Sequence, residues 1–289
     1  MKNYMKINRD KMLQYFKNGC KPNSSPLQFG LELEHFIVKK ESNESISYYG
    51  EHGIEALLKK MVSLYSDTIE SEGHIIGLIR PDIAISLEPA AQLEISISPQ
   101  SDINRINQLY DNFYSEIEPI LDLWGYRIIT YGYRPKEKAD TLDLIPKKRY
   151  EFMDRYFQRI GPYGRQMMRG SASTQVSIDY YSESDFTTKY RLATILMPVL
   201  GKICFNTPYY EGGNTQGEIP RFCIWNYTDE RRVDIQPFYK NGKLTFNDYI
   251  DFVMQAPVIV DLTNDIETYS ERTIGEICNE RELSEKEME

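Results

Sequence analysis

FGLELEHFIV, residues 29–38, alternates leucine and glutamate at its centre, and this alternation decides the fold prediction. Side chains of a β-strand point alternately to opposite faces, so Glu32 and Glu34 share one face and Leu31 and Leu33 share the other. The pattern predicts a strand with one face in the core and one acidic face.

Two further segments show the same alternation, at residues 92–98 (QLEISIS) and 174–179 (TQVSID). In each, one face is hydrophobic, and we expect it to lie in the core; its residues are Leu93, Ile95, Ile97, Val176 and Ile178. The opposite faces are polar and consist of Gln92, Glu94, Ser96, Ser98, Gln175, Ser177 and Asp179. A fourth strand is predicted at residues 126–133.

Hydrophobic residues at helical spacing predict helices at about residues 9–17, 54–65, 101–121, 152–160 and 185–205, with Ser101 as the cap of the third. Strands and helices alternate irregularly, and several strands are compatible with antiparallel pairing. We therefore predict an α+β fold rather than a doubly wound α/β fold.

Charge and composition exclude several function classes. The net charge of −9 disfavours a nucleic-acid partner, since phosphate backbones need clustered Lys and Arg. No apolar run approaches the roughly 20 residues that cross a bilayer, and the first residues lack a signal-peptide core, so we expect no membrane partner and a cytoplasmic protein. The cysteines and histidines lack the spacing of a zinc site, and no Walker or Rossmann glycine motif occurs.

The acidic strand faces have two interpretations. The simpler one is a sheet with a solvated face, the commonest cause of such alternation. However, glutamate is depleted in strands, and none of the three polar faces contains Lys or Arg. Carboxylates gathered without cations repel one another, and hard divalent cations such as Mg²⁺, which prefer oxygen ligands, relieve that repulsion.

Six segments, in order along the chain, resemble motifs of the plant and proteobacterial type of glutamate–cysteine ligase. They are residues 19–22 (GCKP), 30–36 (GLELEHF), 85–96 (ISLEPAAQLEIS), 146–150 (PKKRY), 174–179 (TQVSID) and 221–225 (RFCIW), the last followed by Asp229 and Arg232. The resemblance extends from about Cys20 to Val260.

The resemblance implies a fold akin to glutamine synthetase, in which an antiparallel sheet curves into a funnel with helices outside. It also implies a ligase that uses ATP and Mg²⁺. The γ-carboxylate of glutamate would attack the γ-phosphate of ATP, giving a γ-glutamyl phosphate and ADP. The amine of cysteine would then displace phosphate from the γ-glutamyl phosphate. The product would be γ-glutamylcysteine, the first intermediate of glutathione biosynthesis.

Roles for individual residues follow from the same resemblance. Two or three Mg²⁺ ions would be shared by Glu32, Glu34, Glu88, Glu94 and Gln175. Arg221 would clamp the α-carboxylate of glutamate, and Glu34 and Arg221 would be the catalytic residues. Further contacts to ATP or substrate would come from Lys147, Arg149, Trp225 and Arg232.

The chain departs from the family pattern at several positions, which leaves alternatives open. Ala90 and Ala91 replace a Gly-Gly pair, Ser177 stands where Asn is usual, and His35 stands where Lys is common. The acceptor site is poorly legible, so a γ-glutamyl ligase for a different amine is one alternative. A truncated, inactive binding module with the same fold is another.

We expect residues 1–289 to form a single catalytic domain that lacks the C-terminal part of the family fold. Either a piece of a longer protein or a natural short variant would explain this. In both cases an exposed region is expected where the lacking part would dock.

Overall fold

A computed structural model describes residues 3–215, 220–233, 244–263 and 266–288. Its strands are β1 Phe29–Lys39, β2 Asp67–Ser71, β3 His74–Arg80, β4 Ile83–Leu87, β5 Leu93–Gln100, β6 Tyr126–Ile129, β7 Thr174–Ile178, β8 Tyr209–Tyr210, β9 Gly213–Asn214, β10 Val260–Thr263 and β11 Ile266–Tyr269. Its α-helices are α1 Tyr4–Asn18, α2 Ile54–Met61, α3 Ile103–Leu123, α4 Lys148–Ile160, α5 Glu183–Ile203, α6 Pro220–Asn226, α7 Glu230–Val233, α8 Phe246–Val253, α9 Ile274–Glu280 and α10 Glu285–Met288.

The described residues fall into two compact units. Those within Met1–Leu27, Asp179–Ile203 and Asp229–Glu289 form the first unit. Those within Gln28–Ile178 and Cys204–Thr228 form the second unit. The single catalytic domain expected over residues 1–289 stays a prediction.

The second unit contains an antiparallel sheet in which β1 is the central strand. The strand order is β2-β3-β4-β5-β1-β6, and β7 also pairs with β1. Every one of these pairings is antiparallel. Helices combined with an antiparallel sheet confirm the α+β prediction.

One face of this sheet forms the main core against α2 and α3. Ile83, Ile85, Leu93 and Ile95 are at most 1% exposed, as the alternating pattern predicts. From the helices, the buried residues include Leu57, Leu58, Met61, Phe113 and Ile117. Because these side chains recur every three or four positions, each helix turns one apolar stripe to the sheet.

His35 lies on the core face of β1 rather than beside the glutamates. Its Nδ1 lies 3.2 Å from the Leu93 carbonyl oxygen and its Nε2 lies 2.6 Å from the Tyr110 hydroxyl. Burial lowers the pKa of His35 to about 4, so the ring is neutral at physiological pH. The departure at this position therefore concerns packing, not the acidic face.

The core predicted for β7 is wrong. Val176 is 54% exposed and Ile178 is 59% exposed. Strand alternation shows only that two side chains share a face, whereas burial requires another element to cover that face. Leu31, which pairs with Val176, is itself only half-buried, so the core thins out between β5 and β7.

Three sequence-based boundaries also differ from the structure. The strand expected at residues 126–133 ends at Ile129. The cap of α3 is Asp102 rather than Ser101, because the Asp102 side chain accepts a hydrogen bond from the Asn104 backbone N–H. The strand expected to begin at Gln92 begins at Leu93.

The first unit has a smaller core built around α1, α8 and α9. The amide of Asn8, which is fully buried, donates to the Cys278 and Arg281 carbonyls and accepts from the Leu283 N–H. No helix in the described part of the chain combines the length and hydrophobicity needed to span a bilayer.

Helix α5, in the first unit, carries many large apolar side chains that are exposed. Seven large apolar side chains are between 43% and 75% exposed. They are Leu192, Ile195, Leu196, Met197, Val199, Leu200 and Ile203. A helix that is apolar around most of its circumference is normally buried, so this face is one that another surface would cover.

The contrast between β5 and β7 leads to a stability prediction. Ile95→Ala should lower the free energy of unfolding by about 2–5 kcal/mol, because it leaves a cavity in a closed core. Val176→Ala, the matched control on the exposed face, should cost less than about 1 kcal/mol. Urea denaturation of the two variants measures both values, and equal losses would show that Val176 is covered in solution.

Candidate active site

The acidic face of the sheet is built by strand register. Glu34 of β1 lies directly opposite Glu94 of β5, and Glu32 lies opposite Gln175 of β7. Directly opposed residues of antiparallel strands have side chains on the same face, with Cβ atoms about 4.5–5.5 Å apart. The structure therefore brings four of the predicted ligand residues together on one face.

Glu34 is held from two sides. Its Oε2 accepts a hydrogen bond of 2.9 Å from the Ser173 backbone N–H, and its Oε1 accepts one of 3.1 Å from Gln175 Nε2. Across the strand pair, Glu94 Oε1 accepts a hydrogen bond of 2.7 Å from the Ser86 hydroxyl. These contacts fix the orientation of both carboxylates.

Glu88 reaches the same site from the turn between β4 and β5. The Tyr150 hydroxyl donates to the Leu87 carbonyl at 3.0 Å and lies 3.4 Å from Glu88 Oε1. Lys147 and Arg149, at the start of α4, both act to lower the pKa of Glu88, although burial and the Glu94 charge raise it overall. The predicted basic pair therefore lies beside one of the predicted acidic ligands.

Burial, and after it the repulsion between neighbouring carboxylates, disfavours ionisation of the acidic face. Burial, reinforced by the charges of Glu88 and Glu94, raises the pKa of Glu34 to about 7. Burial and the Glu94 charge also raise the pKa of Glu32. A cation placed among these carboxylates would favour their ionised forms.

The donor set fits Mg²⁺ in kind, since the carboxylate, amide and hydroxyl groups on this face all offer oxygen atoms. Within residues 3–215, 220–233, 244–263 and 266–288, no group of three or more His, Cys, Asp or Glu side chains has the geometry to hold a metal ion. The number of ions expected from the resemblance stays a prediction.

Arg221, on α6, is linked to Glu34 through a single residue. Its Nη2 donates to the Ser173 hydroxyl at 2.6 Å, while the backbone N–H of Ser173 donates to Glu34. Its Nη1 donates to the carbonyls of Gly132 and Ala172 at 2.8 and 2.9 Å. Burial lowers the pKa of Arg221, and the Glu34 charge acts to raise it, so the two side chains interact electrostatically.

The two remaining predicted residues are Trp225 and Arg232. Trp225 is on α6, one helical turn after Arg221, and is 40% exposed. Arg232 belongs to the first unit, where its guanidinium donates to Asp229 at 3.0 Å and to the Pro257 carbonyl. The structure thus groups nine of the ten predicted residues in the second unit and leaves Arg232 in the other.

Sequence reasoning missed or misplaced several residues that build the site. Ser173, Ser86 and Tyr150 had no assigned role, although Tyr150 lies within the PKKRY segment. Gln92, predicted on the polar face beside Glu94, is 1% exposed and donates to the Met168 and Ser171 carbonyls. It precedes the strand, so the period of two does not apply to it.

The raised pKa of Glu34 predicts a pH-dependent stability. The folded protein holds the Glu34 proton more tightly than the unfolded chain, so the free energy of unfolding falls as pH rises from 4.5 towards 7. A shift of that size corresponds to roughly 3 kcal/mol. Glu34→Gln should remove this loss, and Glu70→Gln, an exposed control on β2, should keep it.

Urea denaturation at about pH 5 and about pH 8 measures the effect. If wild type and Glu34→Gln lose the same stability between the two pH values, the Glu34 carboxyl is not the group that titrates.

Comparison with known proteins agrees with the motif resemblance. The sequence model of glutamate-cysteine ligase family 2 (GCS2) matches residues 28–283. Glutamate–cysteine ligase B, chloroplastic, of Oryza sativa subsp. japonica is 28% identical over 253 residues, which cover 87% of this chain and 50% of that protein. The chloroplastic glutamate–cysteine ligases of Medicago truncatula and Arabidopsis thaliana are 27% identical over the same share of this chain, with 49% and 48% of their own lengths covered. The chain thus spans about half the length of these curated relatives, and it belongs to glutamate-cysteine ligase family 2.

Proposed function

We propose that this chain provides the site at which the γ-carboxylate of glutamate is activated by ATP and joined to the amine of cysteine, giving γ-glutamylcysteine. The observation that supports the proposal is the in-register pair Glu34 and Glu94, together with Arg221, which is linked to Glu34 through hydrogen bonds to Ser173. Family membership supplies the reaction class. Because the chain spans about half of its relatives, activity, substrates and partners are all part of the proposal.

A carboxylate is a poor electrophile, and phosphoryl transfer requires mainly positioning and neutralisation of charge. When bound, Mg²⁺ neutralises and polarises the ATP phosphates. Glu32, Glu34, Glu88, Glu94 and Gln175 are the residues proposed to hold it. The chain's own contribution is to present these oxygen donors on three neighbouring strands and one turn, with Ser173 and Gln175 orienting Glu34 and Ser86 orienting Glu94.

Arg221 is proposed to bind the α-carboxylate of glutamate. Its Nη1 is held by two backbone carbonyls, which fixes the plane of the guanidinium. Among the described residues, its Nε–H and one Nη2 N–H have no hydrogen-bond partner, and two adjacent N–H groups suit a bidentate contact with a carboxylate. Lys147 and Arg149 are proposed for the phosphates, and Trp225 for the pocket wall. The phosphate contact expected of Arg232, which belongs to the first unit, stays a prediction.

The finer form of the fold belongs to the same proposal. The sheet around β1 is antiparallel and would form part of a funnel of the glutamine synthetase type. The acceptor amine is proposed as cysteine on family grounds, and a different small amine is the alternative that the assay below tests directly.

Phosphate release with ATP, Mg²⁺ and glutamate, scanned over cysteine and other small amines, tests the function. Glu34→Gln should lower kcat by roughly 100-fold, since it removes a charged oxygen ligand from the set proposed to hold Mg²⁺. Arg221→Lys should raise KM for glutamate by roughly tenfold or more, because a point-charge ammonium loses the two-pronged contact. Glu70→Gln is the control and should leave both constants unchanged.

Two results would contradict these roles. Unchanged glutamate kinetics in Arg221→Lys would remove Arg221 from the substrate site. A chain that releases phosphate equally well with and without Mg²⁺ would remove the acidic face from the mechanism.

We also propose that the exposed apolar face of α5 is covered by a segment equivalent to the part of the relatives that this chain does not match. Seven exposed apolar side chains on one helix support this proposal, as does the half of the relatives' length that this chain does not match. The region beyond the matched part would supply further ligands and complete the site.

A chimera tests this idea: residues 1–289 followed by the region that comes after the matched part of the Arabidopsis protein. The chimera should turn over faster and bind less of a hydrophobic dye than residues 1–289. Leu196→Glu should weaken the chimera but leave residues 1–289 as stable as before, because Leu196 is exposed there. Full ligase turnover by residues 1–289, unimproved in the chimera, would contradict the proposal.

A further inference from the structure

The turn that presents Glu88 contains a residue in an unfavourable backbone conformation. Ala91 has a φ of 62°, in the left-handed region that a residue with a Cβ rarely adopts. The Ala91 N–H donates to the Glu88 carbonyl at 2.9 Å, and the Glu88 N–H donates to the Gln92 carbonyl at 2.9 Å. A turn of this kind persists only where its surroundings hold it in place.

Arg134 is the side chain that holds this turn from inside the protein. It is 2% exposed, its Nη2 donates to the Ala90 carbonyl, and its Nε donates to the Arg169 carbonyl at 3.0 Å. The guanidinium lies 4.8 Å from the centre of the Phe36 ring. Burial lowers the pKa of Arg134 to about 10, so it stays charged at neutral pH.

A second buried side chain joins the same two segments. Gln92 accepts a hydrogen bond from the Ala90 N–H at 2.9 Å and donates to the Met168 and Ser171 carbonyls, both at 3.0 Å. Arg134 and Gln92 both donate to carbonyls within residues 168–171. This segment leads to Ser173, which is hydrogen-bonded to both Glu34 and Arg221. Arg134 thus ties the turn bearing Glu88 to the segment that orients Glu34.

Packing alone does not account for a guanidinium at this position. Burying a charged group carries a large desolvation cost, which an apolar side chain of similar size would avoid. What the guanidinium adds is a set of planar, charge-assisted donors aimed at two carbonyls that belong to different segments.

We propose that Arg134 is a positioning residue that holds Ala91 in its left-handed conformation and thereby fixes Glu88 relative to Glu34 and Glu94. The catalytic consequence rests on the proposed function, whereas the conformational part does not. Its sharpest consequence is a coupling between Arg134 and Ala91, since glycine populates positive φ readily and needs no clamp.

A double-mutant cycle measures that coupling. The variants are Arg134→Met, Ala91→Gly and the two combined, and the readout is hydrogen exchange at the Ala91 amide relative to the amides of β3. Arg134→Met should speed exchange at Ala91 by roughly tenfold, as expected for loss of a charge-assisted hydrogen bond. Adding Ala91→Gly should restore most of the protection.

Arg80→Met is the matched control. Arg80 lies in the same unit, 4.7 Å from the centre of the Tyr65 ring, and donates to Glu116 at 2.8 Å, but it makes none of the turn's contacts. This variant should lower protection across the sheet without a selective effect at Ala91. Equal selective loss in Arg80→Met, or no restoration by Ala91→Gly, would overturn the proposal.

Two further results keep the test decisive. If Arg134→Met does not fold, folding of the double variant supports the clamp, and failure of both variants to fold overturns it. In turnover assays, Arg134→Met should require more Mg²⁺ for half-maximal rate while KM for glutamate stays unchanged. A wild-type chain without phosphate release would refute the proposed function, and the exchange cycle would still decide the role of Arg134.

Discussion

The burial of Glu34 beside two other carboxylates, Glu88 and Glu94, is the constraint on which the rest of the site depends. Directly opposed like charges destabilise a strand pair, yet here they lie at the centre of the sheet in register. Burial adds to the cost and raises the pKa of Glu34. The pairing of two glutamates costs stability, and the proposed cation would offset that cost when bound.

The surrounding structure consistently fixes these carboxylates rather than neutralising them. Ser173 and Gln175 orient Glu34, Ser86 orients Glu94, and the turn that bears Glu88 is held by buried polar side chains. The hydrogen bonds to Glu34 and Glu94 come from neutral groups, which do not cancel the negative charge of the two carboxylates. Precise placement of this kind is what phosphoryl transfer demands of a protein.

The apolar faces of the strands and helices are not all covered. The sheet is well covered over β4 and β5, but β7 exposes its apolar face, and α5 exposes one along most of its length. The exposed face of β7 lies in the second unit and that of α5 in the first. Both consist of large apolar side chains, the kind normally found in a protein interior.

The sequence by itself determined which side chains share a face. Alternation placed Glu32 beside Glu34 and the two leucines, Leu31 and Leu33, on the opposite side. Helical spacing located α3 and α4 to within a few residues, because both patterns depend only on local backbone geometry. The tertiary structure decided which faces are covered and which distant residues meet. Ser173 binds Glu34 across 139 positions, and Val176 stays exposed, because long-range contact and burial depend on where other segments pack and not on the period of the strand itself.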